Sequence, residues 1–146
     1  MKIYFAGSIR GGRADQYFYA KLIMHLKKYG PVLTEHVGAP HLKSMGESHL
    51  SDRKIWQRDM DWLVQSDAVV AEVSTPSLGV GYELGIAQAL KIPVLCLYRD
   101  GSKHHLSAML SGNPHFMCKT FASLESAFEQ IDNFFLEISG ENSLEN

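Results

Sequence analysis

Ser77-Leu-Gly-Val-Gly-Tyr-Glu-Leu-Gly85 follows the apolar run Ala68–Val73 after a short Ser74-Thr-Pro76 break. An apolar run of strand length, then a glycine-spaced segment opening a helix, is the repeating unit of α/β proteins. The helix is expected to reach about Leu90. Between Ser77 and Leu90 its only carboxylate is Glu83, and the stretch has no Lys or Arg. A helix apolar on nearly every side is normally buried. At ~100° per residue Glu83 falls between Ala87 and Leu90, so no solvated face is open to it. It is then either a surface glutamate on a poorly phased helix or a carboxylate held near a ligand at the mouth of a sheet. A buried carboxylate needs partners or a chemical role.

Working outward, Lys2–Ala6 reads as a first buried strand, followed directly by Gly7-Ser-Ile-Arg-Gly-Gly-Arg13. A helix of about Asp15–Tyr29 carries Tyr19, Leu22, Ile23 and Leu26 on one face, and Gly30-Pro31 stops it. Val32–His36 reads as a second strand, Ala68–Val73 as a third, Val94–Tyr98 as a fourth and Phe116–Thr120 as a fifth. Between the second and third, Ser51 is a suitable N-cap for a helix of about Asp52–Gln65. Leu106–Leu110 reads as a helical turn and Ser123–Ile138 as a closing amphipathic helix. Strands alternating with helices imply right-handed crossovers and a parallel sheet covered on both faces. The expectation is a three-layer α/β sandwich with a five-stranded parallel sheet in the order 2-1-3-4-5. That order puts the ends of strands 1 and 3 side by side, with both glycine-rich loops leaving from them, where open α/β sheets bind ligands.

The chain has 146 residues, 45% of them hydrophobic and 21% charged, which suits one globular domain over residues 1–139. Residues 140–146 read as a polar, disordered tail. A net charge of −2 gives no support for a nucleic-acid or membrane-surface partner. No run approaches membrane-spanning length and Met1–Ala6 is not a signal segment, so a cytoplasmic location is expected, with the nucleus left open. Cys96 and Cys118 read as buried reduced thiols. The seven histidines include no i, i+4 pair with a carboxylate partner, and no metal or other cofactor is expected.

In the first loop, glycines allow backbone N–H groups close approach to a phosphate, the helix N-terminus favours an anion, and Arg10 and Arg13 can add charge-assisted bonds. A tight turn would also want these glycines. The loop is neither a dinucleotide fingerprint nor a P-loop. The second loop offers Ser77, Gly79 and another helix N-terminus. Two such sites facing one crevice suggest a phosphorylated small molecule. On the helix after Ser51, Asp59 sits in the middle of the arc formed by Trp62, Leu63, Trp56 and Met60, while Asp61 lies nearly opposite. Asp59 is then either bonded to a loop backbone or catalytic. Tyr4 is a core tyrosine unless Glu83 projects toward its strand. His36 either anchors its loop or touches a ligand.

Together, Tyr4–Arg13 (Tyr-Phe-Ala-Gly-Ser-Ile-Arg-Gly-Gly-Arg), Leu33–Val37 (Leu-Thr-Glu-His-Val) and Val70–Gly85 resemble the 2′-deoxynucleoside 5′-phosphate N-hydrolases of the nucleoside 2-deoxyribosyltransferase superfamily. Arg58–Leu63 and Leu106–Leu110 fit the same pattern. The resemblance implies a flavodoxin-like or Rossmann-like fold and a homodimer. It implies hydrolysis of the N-glycosidic bond of 2′-deoxynucleoside 5′-monophosphates, 5-hydroxymethyl-dUMP among them, to free base and 2-deoxyribose 5-phosphate. By that resemblance Glu83 is the nucleophile that forms a glutamyl–sugar intermediate, Asp59 serves the base and sugar, and Tyr4 orients Glu83. The phosphate falls to Gly7, Ser8, Ile9, Arg10, Gly11, Gly12 and Arg13, to Ser77 and Gly79, and to Ser107 with Ala108 and Met109 reaching in from the partner subunit. Tyr19 and His36 match pocket positions. The rival readings are a deoxyribosyltransferase and a non-catalytic nucleotide-binding module; the joint presence of Tyr4, Asp59 and Glu83 argues against the second.

Overall fold

The computed structural model describes residues 1–9, 15–39 and 49–141. Its sheet has four parallel strands, β1 (Ile3–Gly7), β2 (Ala68–Glu72), β3 (Val94–Arg99) and β4 (Phe116–Phe121), side by side in that order. The helices are α1 (Gln16–Leu26), α2 (Asp52–Val64), α3 (Leu78–Ala89), the one-turn α4 (Ala108–Ser111) and α5 (Leu124–Glu141). A 3-10 turn, Glu35–Gly38, precedes α2.

The inner strands are apolar except at their ends, Glu72 in β2 and Arg99 in β3, because both faces of the sheet are covered. Side chains alternate across the sheet. Ile3, Phe5, Ala68, Val70, Leu95 and Leu97 pack with Leu22 and Leu26 of α1 and Ile131 and Phe134 of α5. Tyr4, Ala6, Val69, Ala71 and Cys96 pack on the other side with Leu63 of α2 and Val80, Leu84 and Ala87 of α3. Ser51 caps α2 by accepting the Lys54 N–H, and Ser77 caps α3 by accepting the Val80 N–H.

The expected five-stranded sheet in the order 2-1-3-4-5 is therefore corrected to four strands. The segment read as a strand over Val32–His36 makes a single parallel bridge, Val32 to Ile3, on the outer edge of β1. Two residues further on, the Thr34 side chain takes over the pairing. Its hydroxyl accepts the Phe5 N–H at 2.8 Å and donates to the Phe5 carbonyl at 2.7 Å. With that edge satisfied by a side chain, the backbone turns away into Glu35–Gly38. Gly38 then lies against α1 so closely that an added Cβ would sit 3.0 Å from the Ala20 Cα. Gly30 makes the preceding turn at φ 154°, and a side chain there would collide with the Met1 carbonyl.

Two further expectations change. Gly140 and Glu141, read as tail, belong to α5, and residues 142–146 lie outside the described residues. Helix α3, expected to be buried all round, buries only Val80, Leu84 and Ala87; Leu78 and Tyr82 are exposed in the single chain. No helix among the described residues is long and apolar enough to cross a membrane.

Leu22 is fully buried where α1 meets the sheet and α5. Leu22→Ala should cost about 2–5 kcal/mol, read as a lower urea midpoint with an unchanged slope.

Candidate active site

The sheet ends decide where the site lies. In the parallel register Gly7 pairs with Glu72, so β1 and β2 finish side by side and release their two loops into one space. Between them is a cleft of about 500 Å³ lined by Gly7, Ser8 and Ile9 of the first loop, Pro76 and Ser77 of the second, Leu78, Gly79, Val80 and Glu83 of α3, and Asp59 of α2.

Glu83 reaches this cleft because the first turns of α3 pack Val80 and Leu84 on the sheet, which turns residue 83 toward β1. The Tyr4 hydroxyl donates to its Oε1 at 2.6 Å. Tyr4 is therefore both a core residue, almost completely buried, and the partner of the carboxylate. Burial drives the Glu83 carboxyl from its ordinary 4.5 up to about 7; the Tyr4 hydrogen bond pulls it down and the charge of nearby Asp59 pushes it further up. The Tyr4 hydroxyl is itself held above the ordinary phenol range, first by burial and then by Glu83.

Asp59 and Asp61 separate as the helical arc requires, with Asp59 half-buried in the cleft wall and Asp61 exposed. Asp59 is held by its neighbour Arg58, whose Nε and Nη2 both donate to Oδ1, at 3.0 and 2.8 Å. The Arg58 guanidinium lies over the Trp62 ring at 4.7 Å, and its Nη2 is 3.3 Å from His36 Nε2. The sequence reading passed over Arg58. The signal available was a cation beside the inward aspartate, with an aromatic ring four residues on.

The remaining residues divide. Ser77 and Gly79 stand at the N-terminus of α3 and face the cleft with Gly7, Ser8 and Ile9. Arg10, Gly11, Gly12 and Arg13 lie outside the described residues. Tyr19 does not line the cleft. It is buried under the first loop, where its hydroxyl accepts the Ser8 N–H at 3.0 Å and its ring leaves no room for a side chain at Gly7. His36 stands behind Arg58, with its ring 5.5 Å from that of Trp62. Ser107 caps α4, exposed, by accepting the Met109 N–H. Ser107 and Met109 line a second groove of about 440 Å³, which shares Pro76, Ser77, Leu78 and Val80 with the first. Neither Ser107, Ala108 nor Met109 lines the Glu83 cleft of its own chain. Among the described residues no three His, Cys, Asp or Glu side chains converge as a metal-binding set.

A carboxylate poised near neutrality, fixed by a phenol and facing a second carboxylate beneath two anion-favouring loops, is suited to stabilising or bonding a developing cation on a phosphorylated ligand. Comparison with known proteins gives the family. The family model of the nucleoside 2-deoxyribosyltransferases matches residues 3–137, and the chain belongs to that family. A Trichoplax adhaerens protein, provisionally named 2′-deoxynucleoside 5′-phosphate N-hydrolase 1, is 52% identical over 136 residues, covering 91% of this chain and 92% of that one. The 5-hydroxymethyl-dUMP N-hydrolase of Rattus norvegicus is 55% identical over 111 residues, covering 75% of this chain and 68% of its own. Among solved structures, a CMP N-glycosidase of Clostridium botulinum superposes with a TM-score of 0.63 at 15% identity, over 90% of this chain and 98% of that one, which establishes likeness of fold.

The raised Glu83 pKa has a stability consequence. A folded carboxyl that titrates near 7 instead of 4.5 keeps its proton longer than the unfolded one, so it destabilises the fold as pH rises through that window. Glu83→Gln should therefore be more stable than the wild type by about 3 kcal/mol at pH 8, with the difference vanishing near pH 4. Urea titrations at the two pH values test this; a pH-independent difference would refute the raised pKa.

Proposed function

We propose that this chain hydrolyses the N-glycosidic bond of 2′-deoxynucleoside 5′-monophosphates, releasing the free base and 2-deoxyribose 5-phosphate. The observation that carries the reading is the Tyr4–Glu83 pair, 2.6 Å apart, set in a cleft whose mouth is formed by two phosphate-suited loops. The names of the two relatives, each more than half identical to this chain, support it.

The residues divide the work. Departure of the base takes the C1′–N electron pair and leaves oxocarbenium character on the sugar. Glu83, ionised above pH 7, bonds to C1′ through a carboxylate oxygen and gives a glutamyl–sugar intermediate. Water then replaces the carboxylate at C1′ to form 2-deoxyribose 5-phosphate, and the proton it gives up to solvent balances the one that the departing base nitrogen takes from solvent. Tyr4 holds Glu83 in line while the carboxylate waits and receives it again as it leaves. Asp59, engaged by two donors from Arg58, acts as an acceptor that orients the sugar and base by hydrogen bonding. A 2′-hydroxyl would withdraw electrons from the developing cation, so ribonucleotides react poorly. The N-terminus of α3, Ser77, Gly79 and the Gly7–Arg13 loop hold the phosphate, and that remote binding energy positions C1′ over Glu83.

The same reading takes the active form to be a homodimer in which Ser107 completes the partner's site. Two features support this. The outer face of α3 and its neighbours leave Leu78 97%, Tyr82 51%, Trp56 49% and Met109 80% exposed, an apolar surface of the kind that marks interfaces. Ser107 also faces a groove that adjoins the Glu83 cleft without entering it.

Product analysis by liquid chromatography tests the activity. Deoxynucleoside monophosphates should yield base and 2-deoxyribose 5-phosphate, while ribonucleotides and unphosphorylated nucleosides react poorly. Exchange of a second free base into the nucleoside would identify a transferase instead. Glu83→Ala should lower kcat by at least about a thousandfold at saturating substrate. Mixing Ser107→Ala with Glu83→Ala subunits should restore activity above either parent, because one of the two sites in a mixed dimer is intact; no recovery would remove Ser107 from the partner's site.

A further inference from the structure

One buried polar cluster is used by none of this chemistry. Glu72 ends β2 with no exposed surface at all, and among the described residues its Oε2 finds no hydrogen-bond partner. The Nε of Arg99, at the end of β3, is likewise buried and has no partner among the described residues. Burying an unsatisfied polar atom costs about 1–3 kcal/mol, more for a charged group, and an apolar residue would avoid that cost. Packing alone therefore does not account for a carboxylate at position 72.

We propose that Glu72, Ser74, Thr75, Asp15 and Arg99 form a buried clamp that ties Asp15, at the entry to α1, to the Ser74-Thr75 start of the loop carrying Ser77, so that it sets affinity for the substrate's 5′-phosphate and not the rate of the chemical step. The inference rests on the reading of the cleft as a phosphate site.

The bonds run from loop to loop. The Ser74 hydroxyl donates to Glu72 Oε1 and accepts the Arg99 N–H at 2.7 Å, and the Ser74 N–H also approaches Oε1, at 3.3 Å. A serine hydroxyl has one proton to give. Spending it on Glu72 leaves the lone pairs free for Arg99, so an acceptor at position 72 orients the whole relay. The next residue, Thr75, donates to Asp15 Oδ2 at 2.8 Å, and Arg99 Nη2 donates to Asp15 Oδ1 at 2.9 Å. Asp15 is buried at the downstream end of the first loop, as Ser8, held by Tyr19, is at the upstream end. The loop that carries Ser77 is thereby tied to Asp15, at the entry to α1, and to β3. The Arg99 guanidinium lies 4.0 Å from the centre of the Phe18 ring, which fixes the cluster to α1.

Position in the sheet separates this clamp from the chemistry. Residue 72 alternates with Ala71 and Val73, which face α2 and α3, so its side chain enters the α1 side, opposite Tyr4 and Glu83. Loosening the clamp should spread the phosphate contacts without disturbing the Tyr4–Glu83 pair. Burial holds the Glu72 carboxyl above the ordinary carboxylate range, so a neutral amide that can still accept from Ser74 is a fair replacement.

The test compares wild type, Glu72→Gln, Glu72→Leu and Thr75→Val. Calorimetry gives Kd for 2-deoxyribose 5-phosphate, the fragment shared by every deoxynucleotide, and steady-state kinetics give kcat and KM for one deoxynucleoside monophosphate. Glu72→Gln should stay within about threefold of wild type in Kd, whereas Glu72→Leu and Thr75→Val should bind about tenfold more weakly, with KM rising in step and kcat within about threefold. Equal Kd values in all four proteins, or a loss confined to kcat, would overturn the clamp while leaving the hydrolase reading intact. If Glu72→Leu does not fold, Thr75→Val, which removes one bond at nearly constant shape, decides the matter. A wild type that binds the sugar phosphate but hydrolyses no nucleotide refutes the reading of function, and the Kd series still judges the clamp. A wild type that binds no sugar phosphate overturns the clamp.

Discussion

The parallel pairing of β1 with β2 is the constraint on which the site depends. It stops both strands at the same level, Gly7 beside Glu72, and so obliges both loops to turn outward from adjacent points. Everything in the cleft is hung from that edge. Tyr4 comes from inside β1, Glu83 from the second turn of the helix that follows β2, and Asp59 from the helix that leads into it. Right-handed crossovers then put α1, which links β1 to Val32 on its outer edge, on one face, and α2 and α3, which flank β2, on the other. The result is a functional division. One face carries the carboxylates that line the cleft, and the other carries the buried polar contacts of Glu72, Ser74 and Arg99.

Glu83 illustrates how such a site is held together at the expense of stability. A carboxylate in that position is desolvated and sits near a second negative charge, and the Tyr4 hydroxyl offsets only part of the penalty. The rest is supplied by packing around it: Val80 and Leu84 on the same helix, and Tyr4 itself as a core residue. A carboxylate made more basic in this way gains nucleophilicity when it ionises and still ionises near neutral pH. The arrangement is thus held by packing while the carboxylate itself stays desolvated.

Much of this was legible in the sequence, and the reasons differ by element. The apolar strands, their helical crossovers and the caps at Ser51 and Ser77 follow from periodicity and local hydrogen bonding, which the chain displays directly. Glu83 stood out as the only carboxylate in an apolar helix, and Asp59 from its place in an apolar arc. The second strand was misread because Val32–His36 has strand-like composition, while its edge pairing is taken over by the Thr34 hydroxyl, a contact with Phe5 that no local pattern encodes. Glu72 was passed over although the rule that singled out Glu83 applies to it equally: a charge ending the apolar run Ala68–Val73. Arg99 and Asp15 could not be paired from sequence, since 84 positions separate them and only the fold brings them together.

Helix α3 was expected to be buried, and in the single chain much of it is not. Its composition and its exposure become consistent if the sequence is written for an assembly. Leu78 and Tyr82 project from the same helix that presents Ser77, Gly79 and Glu83 to the cleft, so any surface that covered them would also close over the ligand. The groove containing Ser107 shares its Pro76–Leu78 wall with that cleft. A partner seated against α3 would exclude water from the cleft that Glu83 and Asp59 line, and would do so without adding a residue to the Tyr4–Glu83 pair. The apolar surface of α3 and the strained carboxylate within it are, on this argument, two parts of one requirement: a reaction that depends on a desolvated carboxylate needs a helix too apolar to stand alone.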